Sequence, residues 1–272
     1  MIKNKILIII TMIVFTLSLC SCGADSGNEV NSENGEFIVA DDFDLVYSNP
    51  DSYKGDEVEF YGKIFTDVER DENGTYMQIF SNEDGTDNNV LVAIGDPNLN
   101  VEYDDIVYVR GMVKGAEKAE NAFGAELILP LINASKVEVV DYSTAFSPAL
   151  KTIEVNEEQN QSGYKLTLIK VEIAKNETRA FLKIENASDD ILSFYSFNSV
   201  LTQESNQIEQ EDNWGADYPE ISSEIQPGII QEGIVTFGAV DLDGEELNII
   251  FEGHSDDYYL DFTPFKFKVS IK

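Results

Sequence analysis

Beyond Cys22 the chain has no cysteine; both thiols of its 272 residues, Cys20 and Cys22, lie near the N-terminus. Residues 23–272 therefore form no disulfide, and their folded parts are held by cores and hydrogen bonds. Basic side chains are scarce too: 18 Lys and Arg stand against 51 Asp and Glu, a net charge of −33. Phosphate backbones are gripped by clustered Lys and Arg, so this balance excludes nucleic acid and favours cations or basic surfaces. Histidine occurs once, at His254 in Glu252-Gly253-His254-Ser255-Asp256-Asp257. A His base needs an acid and a nucleophile aimed at it, which neighbours on one turn seldom are. One His without a thiolate is also too few ligands for a transition metal. No paired carboxylates or Ser–His spacing elsewhere mark a reaction, and the chain reads as a non-enzyme.

What is present begins with an export signal. Lys3 and Lys5 precede an apolar run, Ile6 to Leu19, interrupted by Thr11, Thr16 and Ser18. A spanning helix needs about 20 apolar residues, and this run is shorter. It ends in Leu19-Cys20-Ser21-Cys22-Gly23. That string resembles the lipobox of bacterial lipoproteins, with Leu three before the modified Cys and a small residue just before it. The resemblance implies cleavage of residues 1–21 as a lipoprotein signal peptide and lipidation of Cys22. Two acyl chains give stable attachment, which places the mature protein on the outer face of the bacterial cytoplasmic membrane, extracellular and membrane-anchored. Cleavage removes Lys3 and Lys5 and no acid, leaving 16 basic against 51 acidic groups, a net −35. Residues 22–41 are small, polar and acidic, with too little to bury, and are predicted to be a disordered tether.

The remaining chain is long enough for two cores, and its patterning is all-β. Residues 42–142 alternate with period two: Glu57 to Ile64 as a strand, Asp71 to Gly74 as a turn, then strands over Thr75–Phe80, Val90–Ile94 and Asp105–Val113, with Ala125–Val140 as a last pair or one bent strand. Five to six short strands close naturally into a barrel. Residues 143–150, containing Pro148, are a predicted linker. Over residues 151–272, Tyr164–Ile173 and Arg179–Glu185 read as a hairpin, followed by strands at Phe194–Thr202, Ile229–Phe237, Glu246–Phe251 and Phe265–Ile271. That spacing predicts an antiparallel sandwich.

Two resemblances sharpen this. Asn49-Pro50-Asp51-Ser52-Tyr53-Lys54-Gly55-Asp56-Glu57-Val58, then Gly62-Lys63-Ile64, Asp104 to Gly115 and Ile128 to Ala134, resemble the tRNA-anticodon-like OB-fold family found in Gram-positive lipoproteins. This implies a five-stranded OB-type barrel and no particular ligand. Asn186-Ala187-Ser188, Ile225 to Gly228 and Gly233 to Phe237 resemble a telokin-like, immunoglobulin-like extracellular domain of unknown function. This implies a sandwich without the immunoglobulin cysteines.

The candidate contacts are few. Tyr61, Tyr76 and Tyr108, with Phe80, could form a stacking platform for a neutral sugar or peptide, or simply lie on a half-buried sheet. Trp214, in a long polar connection, either grips a glycan or partner protein or plugs the end of the sandwich. Asp84 and Asp87 in one loop, and Asp241 and Asp243 in another, are candidate calcium donors, although polar turns share that composition without an ion. The expectation is a non-enzymatic binding or adaptor module for an envelope protein, peptide or glycan, without a cofactor. A calcium-dependent structural or adhesion protein is the alternative.

Overall fold

The computed structural model describes residues 43–81, 88–120, 126–257, 259 and 262–272. The signal at 1–21, Cys22, the tether at 22–41 and the loop residues Asp84 and Asp87 lie outside the described residues. The chain is all-β and divides into two compact units, Met1–Val140 and Asp141–Lys272. No described helix is long and apolar enough to cross a membrane.

The first unit opens with a short helix, α1 (Phe43–Ser48), and a 3-10 turn at Pro50–Tyr53. Six strands follow: β1 (Glu57–Ile64), β2 (Glu69–Asp71), β3 (Gly74–Phe80), β4 (Asn89–Ile94), β5 (Ile106–Glu120) and β6 (Glu126–Val139). They pair in the order β1-β5-β6-β4-β3-β2, and β1 also pairs with β3, so five strands close into a ring. All pairings are antiparallel except β4 with β6, in register at Leu91↔Leu131. Period two explains the interior: Val58, Phe60 and Ile64 from β1, Met77 and Ile79 from β3, and Val107, Val109 and Val113 from β5 are buried. Phe43 of α1 packs on Phe60, ring centroids 4.4 Å apart, covering part of this core. At Gly62, where β1 passes from β5 to β3, a Cβ would stand 2.3 Å from Ile79 Cγ2. Only glycine fits that crossing.

The second unit starts with α2 (Tyr142–Ala145), capped by Asp141, whose Oδ1 accepts from Thr144 N at 2.6 Å. Its strands are β7 (Ala149–Gln161), β8 (Tyr164–Ala174), β9 (Glu177–Asn186), β10 (Leu192–Phe194), β11 (Val200–Gln203), β12 (Asn206–Glu209), β13 (Glu224–Ile225), β14 (Ile230–Gly238), β15 (Glu246–Phe251), β16 (Gly253–Ser255) and β17 (Phe265–Ser270). They form three antiparallel sheets, β14-β9-β8-β7, β12-β11-β15-β17 and the small β13-β10-β16. One core joins all three: Leu166, Leu182 and Ile184 from the first, Leu247, Ile249 and Phe267 from the second, Leu192, Phe194 and Ile225 from the third. Burying each such side chain contributes about 1.5–3 kcal/mol, the main stabilising force where no disulfide exists.

Several strands differ from the sequence expectation. The predicted strand Phe194–Thr202 is broken: β10 ends at Phe194, a 3-10 turn occupies Ser196–Asn198, and β11 begins at Val200. Strand β7 runs from Ala149 across the predicted linker end and continues to Gln161, although most of its residues are polar and exposed or half-buried. It lies at the edge of its sheet, where one face packs and the other meets water. His254 is in a strand, β16, and not in a turn.

Carboxamide side chains take over backbone pairing where strands run out. Gln159 Nε2 donates to Lys266 O at 2.7 Å, and Lys266 N donates back to its Oε1 at 3.3 Å. Two residues on, Gln161 Nε2 donates to Thr263 O at 2.8 Å while its Oε1 accepts from Thr263 N at 3.0 Å. These two side chains tie the edge of β7 to the segment entering β17. Asn186, fully buried, donates to Ile225 O at 2.7 Å and Asp190 O at 2.8 Å, and accepts from Ser188 N at 3.0 Å.

Candidate functional site

On the first unit, register decides which of the sequence-predicted tyrosines meet. Tyr61 of β1 is directly opposite Tyr108 of β5, with ring centroids 5.4 Å apart. Both point away from the core, because Phe60 and Val109 beside them point inward. Tyr108 OH donates to Glu59 Oε2 at 2.7 Å, and Lys136 Nζ sits 5.5 Å from the Tyr108 ring. Burial and the Glu59 carboxylate together push the Tyr108 phenol up to about 12. Tyr76 is elsewhere. It pairs with Glu69 of β2, and its hydroxyl donates to Asp71 at 3.1 Å, beside the turn that Asp71 organises. Phe80 stacks on Phe65 at 3.6 Å. The three tyrosines therefore do not form one platform; Tyr61 and Tyr108 form a pair and Tyr76 stands apart.

On the second unit, Trp214 is 85% exposed, at the apex of the connection between β12 and β13. This connection is pinned at both ends along β14. Gln210 bridges Phe237, Glu211 N donates to Thr236 O at 3.1 Å, and Ile234 N donates to Pro219 O at 2.8 Å. Residues flanking the tryptophan are tied further in, because Asn213 Nδ2 donates to Glu177 Oε2 at 3.0 Å and Tyr218 OH donates to Glu177 Oε1 at 2.6 Å. Glu177 in turn accepts from Arg179 Nη1 at 2.6 Å. Arg179 is the largest fully buried side chain, 1% exposed. Its other donors reach Glu172 Oε2 at 2.9 and 3.1 Å and Ser147 O at 2.8 Å. Trp214 is thus an exposed ring on a loop whose flanking residues are tied to a buried base.

The electrostatics of this base are consistent across its members. Burial alone would raise the Glu177 carboxyl, but donors from Tyr218, Asn213, Ser147 and Arg179 outweigh it and hold the group below the ordinary glutamate range. Arg179 is driven the other way: its carboxylate and phenol neighbours overcome burial and keep it charged. Burial and the bond to Glu177 push the Tyr218 phenol well up. The network thus holds two cations, Arg179 and Lys170, against the carboxylates of Glu172 and Glu177, and its buried Arg179–Glu177 pair demands complete hydrogen bonding. It anchors the loop without exposing a reactive group. Above it lies a shallow depression whose wall includes Trp214, Tyr218 and Ile234 and whose rim carries Asp212, Asp217 and Glu220.

Sequence reading singled out Trp214 but missed Arg179, Glu177 and Tyr218. Arg179 stood at the start of a predicted strand, where an exposed Arg is ordinary, and only the fold shows its side chain buried. Asp241 and Asp243 share one turn: Asp241 Oδ1 accepts from Asp243 N at 2.9 Å, and Gly244 N donates to Asp241 O at 3.2 Å. Among the described residues no three His, Cys, Asp or Glu side chains converge on a point fit for a metal ion. His254 and Ser255 are consecutive residues of β16, so their side chains leave opposite faces.

No family model matches the chain, and no curated protein matches it. Among solved structures, the chain is similar to a functionally unknown protein from Listeria monocytogenes, 10% identical over 46% of this chain and 86% of that one, with a TM-score of 0.34. It is also similar to a conserved domain protein from Bacillus anthracis, 10% identical over 80% of this chain and 77% of that one, with a TM-score of 0.33. Likenesses this distant carry neither a fold assignment nor a function.

Proposed function

We infer that the chain is an extracellular, membrane-anchored lipoprotein that binds a protein, peptide or glycan at the cell envelope and catalyses no reaction. Its first unit is read as an OB-type barrel and its second as an immunoglobulin-like sandwich. The barrel reading is supported by the closed ring β1-β3-β4-β6-β5, with its single parallel pairing between β4 and β6. The sandwich reading is supported by two four-stranded antiparallel sheets that contribute to one core. The lipobox pattern ending at Cys22 supports the anchor, since two acyl chains suffice to hold a protein at a bilayer.

The observation that carries the binding role is Trp214. An indole left 85% in water on a loop fixed from beneath forgoes the burial its size would give. Exposed, pre-positioned tryptophans are the usual anchors of contact surfaces. The test is photo-crosslinking on intact cells from a photoreactive residue at position 214, beside the same label at exposed Glu204. A discrete adduct formed only from 214 supports the reading, and identical labelling from both positions contradicts it.

A further inference from the structure

A second aromatic surface lies on the small sheet β13-β10-β16 and uses none of the Trp214 loop. Leu192 and Phe194 of β10 are buried in the core, so Ser193 between them lies on the opposite face of the sheet, where it too is buried, and its partner across the ladder is the exposed His254 of β16. After β10 the chain turns sharply through a 3-10 helix at Ser196–Asn198, closed by Asn198 N donating to Tyr195 O at 3.0 Å and Ser199 N to Ser196 O at 2.9 Å. That turn sets three rings in a row. Phe197 and Tyr195 have centroids 5.5 Å apart at 36°, and Tyr195 and His254 are 6.0 Å apart at 46°. Phe197 is 70% exposed. Glu252, just before His254, accepts from Asn198 Nδ2 at 3.5 Å, which places a carboxylate beside the row.

The chain segments that carry these rings hold charge of one sign. The segments that build this face, 189–198, 223–226 and 252–257, carry Asp189, Asp190, Glu224, Glu252, Asp256 and Asp257 and not one Lys or Arg. Cross-strand pairing puts Glu224 in the same row as Ser193 and His254. An aromatic centre within a charged rim is the anatomy of a protein contact. Carboxylates on the rim repel acidic partners and attract basic ones. Rings 5.5 and 6.0 Å apart and tilted to one another leave no slot between them and no continuous plane, which suits a planar side-chain group stacked on one exposed ring face, such as that of Phe197.

We propose that the Phe197–Tyr195–His254 row is a second binding surface, and that it takes a basic segment of another polypeptide. Arginine meets both features at once: its guanidinium plane stacks on a ring, and its fork pairs with carboxylates such as Glu252. This goes beyond the envelope-binding reading, because it names a different surface and the chemistry of its partner.

The test uses the full-length chain in neutral detergent at 0.15 M salt, where diffuse attraction is largely screened. Fluorescence anisotropy is followed with a labelled peptide of alternating glycine and arginine, and with the same peptide carrying citrulline for arginine. The arginine peptide is expected to bind and the citrulline peptide not. Phe197→Ala is expected to weaken binding roughly five- to tenfold with an unchanged melting temperature, Glu252→Gln to weaken it as well, and Trp214→Ala to leave it intact. If Phe197→Ala binds like the parent chain, the attraction is general acidity and the proposal falls. Equal binding of the citrulline peptide overturns the basic partner. Loss on Trp214→Ala alone assigns the binding to the other loop, overturning this surface and leaving the Trp214 reading standing.

Discussion

Gln203 pairs with both backbone polar groups of Asp241: its Nε2 donates to the carbonyl at 2.7 Å and its Oε1 accepts from the amide at 2.8 Å. The carboxamide thus replaces one rung of a β-ladder, fixing the turn before β15 to the end of β11. Gly244 sits against it, and a Cβ there would be 2.2 Å from Gln203 Nε2. Gln203→Glu keeps the shape but replaces the donor that meets the Asp241 carbonyl with a carboxylate oxygen. The carbonyl keeps its bond from Gly244 N at 3.2 Å, so the loss is that of one hydrogen bond, about 1 kcal/mol. Thermal unfolding of the variant is expected to begin several degrees lower, and a melting curve that overlays the parent would count against the pairing.

The clip at the sandwich edge makes a smaller, separable contribution. Gln161 holds Thr263 through three hydrogen bonds, including one from Thr263 Oγ1 at 3.1 Å, in an exposed setting. Gln161→Ala is expected to cost about 1 kcal/mol in denaturant titration. Hydrogen exchange should show faster opening of β17 and no change in β1–β6.

Arg179 carries the largest single-residue prediction. Arg179→Ala removes the buried cation beside Glu177, while Glu172 keeps its pair with Lys170 at 2.5 Å; breaking a buried pair such as Arg179–Glu177 costs about 3–5 kcal/mol. Loss of a cooperative transition for the second unit, with that of the first retained, is the result expected from calorimetry.

The same network sets the response to acid and base. Glu177 titrates lower in the fold than in the free chain. Its contribution is therefore complete above the ordinary glutamate value of about 4.3 and is lost as pH falls through the lower folded value. Asp141, held down first by Ser143 and then by Thr144, adds with the same sign. Tyr218 is raised, so the fold favours its neutral form and stability declines as pH climbs past the ordinary tyrosine value of about 10. Unfolding free energy measured against pH should fall on both flanks. Glu177→Gln is expected to flatten the acid flank.

Trp214 is exposed and not part of the core. On the binding reading, Trp214→Ala should leave the unfolding free energy within about 0.5 kcal/mol of the parent while reducing partner retention on cells more than about tenfold. Equal loss of stability and retention would make it structural.

How far the sequence spoke for itself depended on burial. β1 and β3 were legible because one face of each is buried, so apolar residues recur at period two. β7 was not: Ile153 and Val155, two apart, pack against the core, but Glu157, Glu158, Gln159 and Asn160 in succession break the period beyond them. Its signal is the pair Gln159 and Gln161, two apart on one face, which means something only once Lys266 and Thr263 are known to lie opposite. The tyrosines make the same point. Pairing Tyr61 with Tyr108 and setting Tyr76 apart is a matter of register between strands nearly fifty residues apart in sequence, which composition does not carry. Burial of Arg179 arises from contacts with Glu172, Ser147 and Tyr218, brought together by the fold.

Location underlies every functional statement, and the mass of the N-terminal peptide from the cell's membrane fraction tests it most directly. A chain beginning at Cys22, heavier by a diacylglycerol thioether and released from whole cells by external protease, is the expected result. An unmodified chain retaining residues 1–21, or recovery from the cytosol, would contradict it.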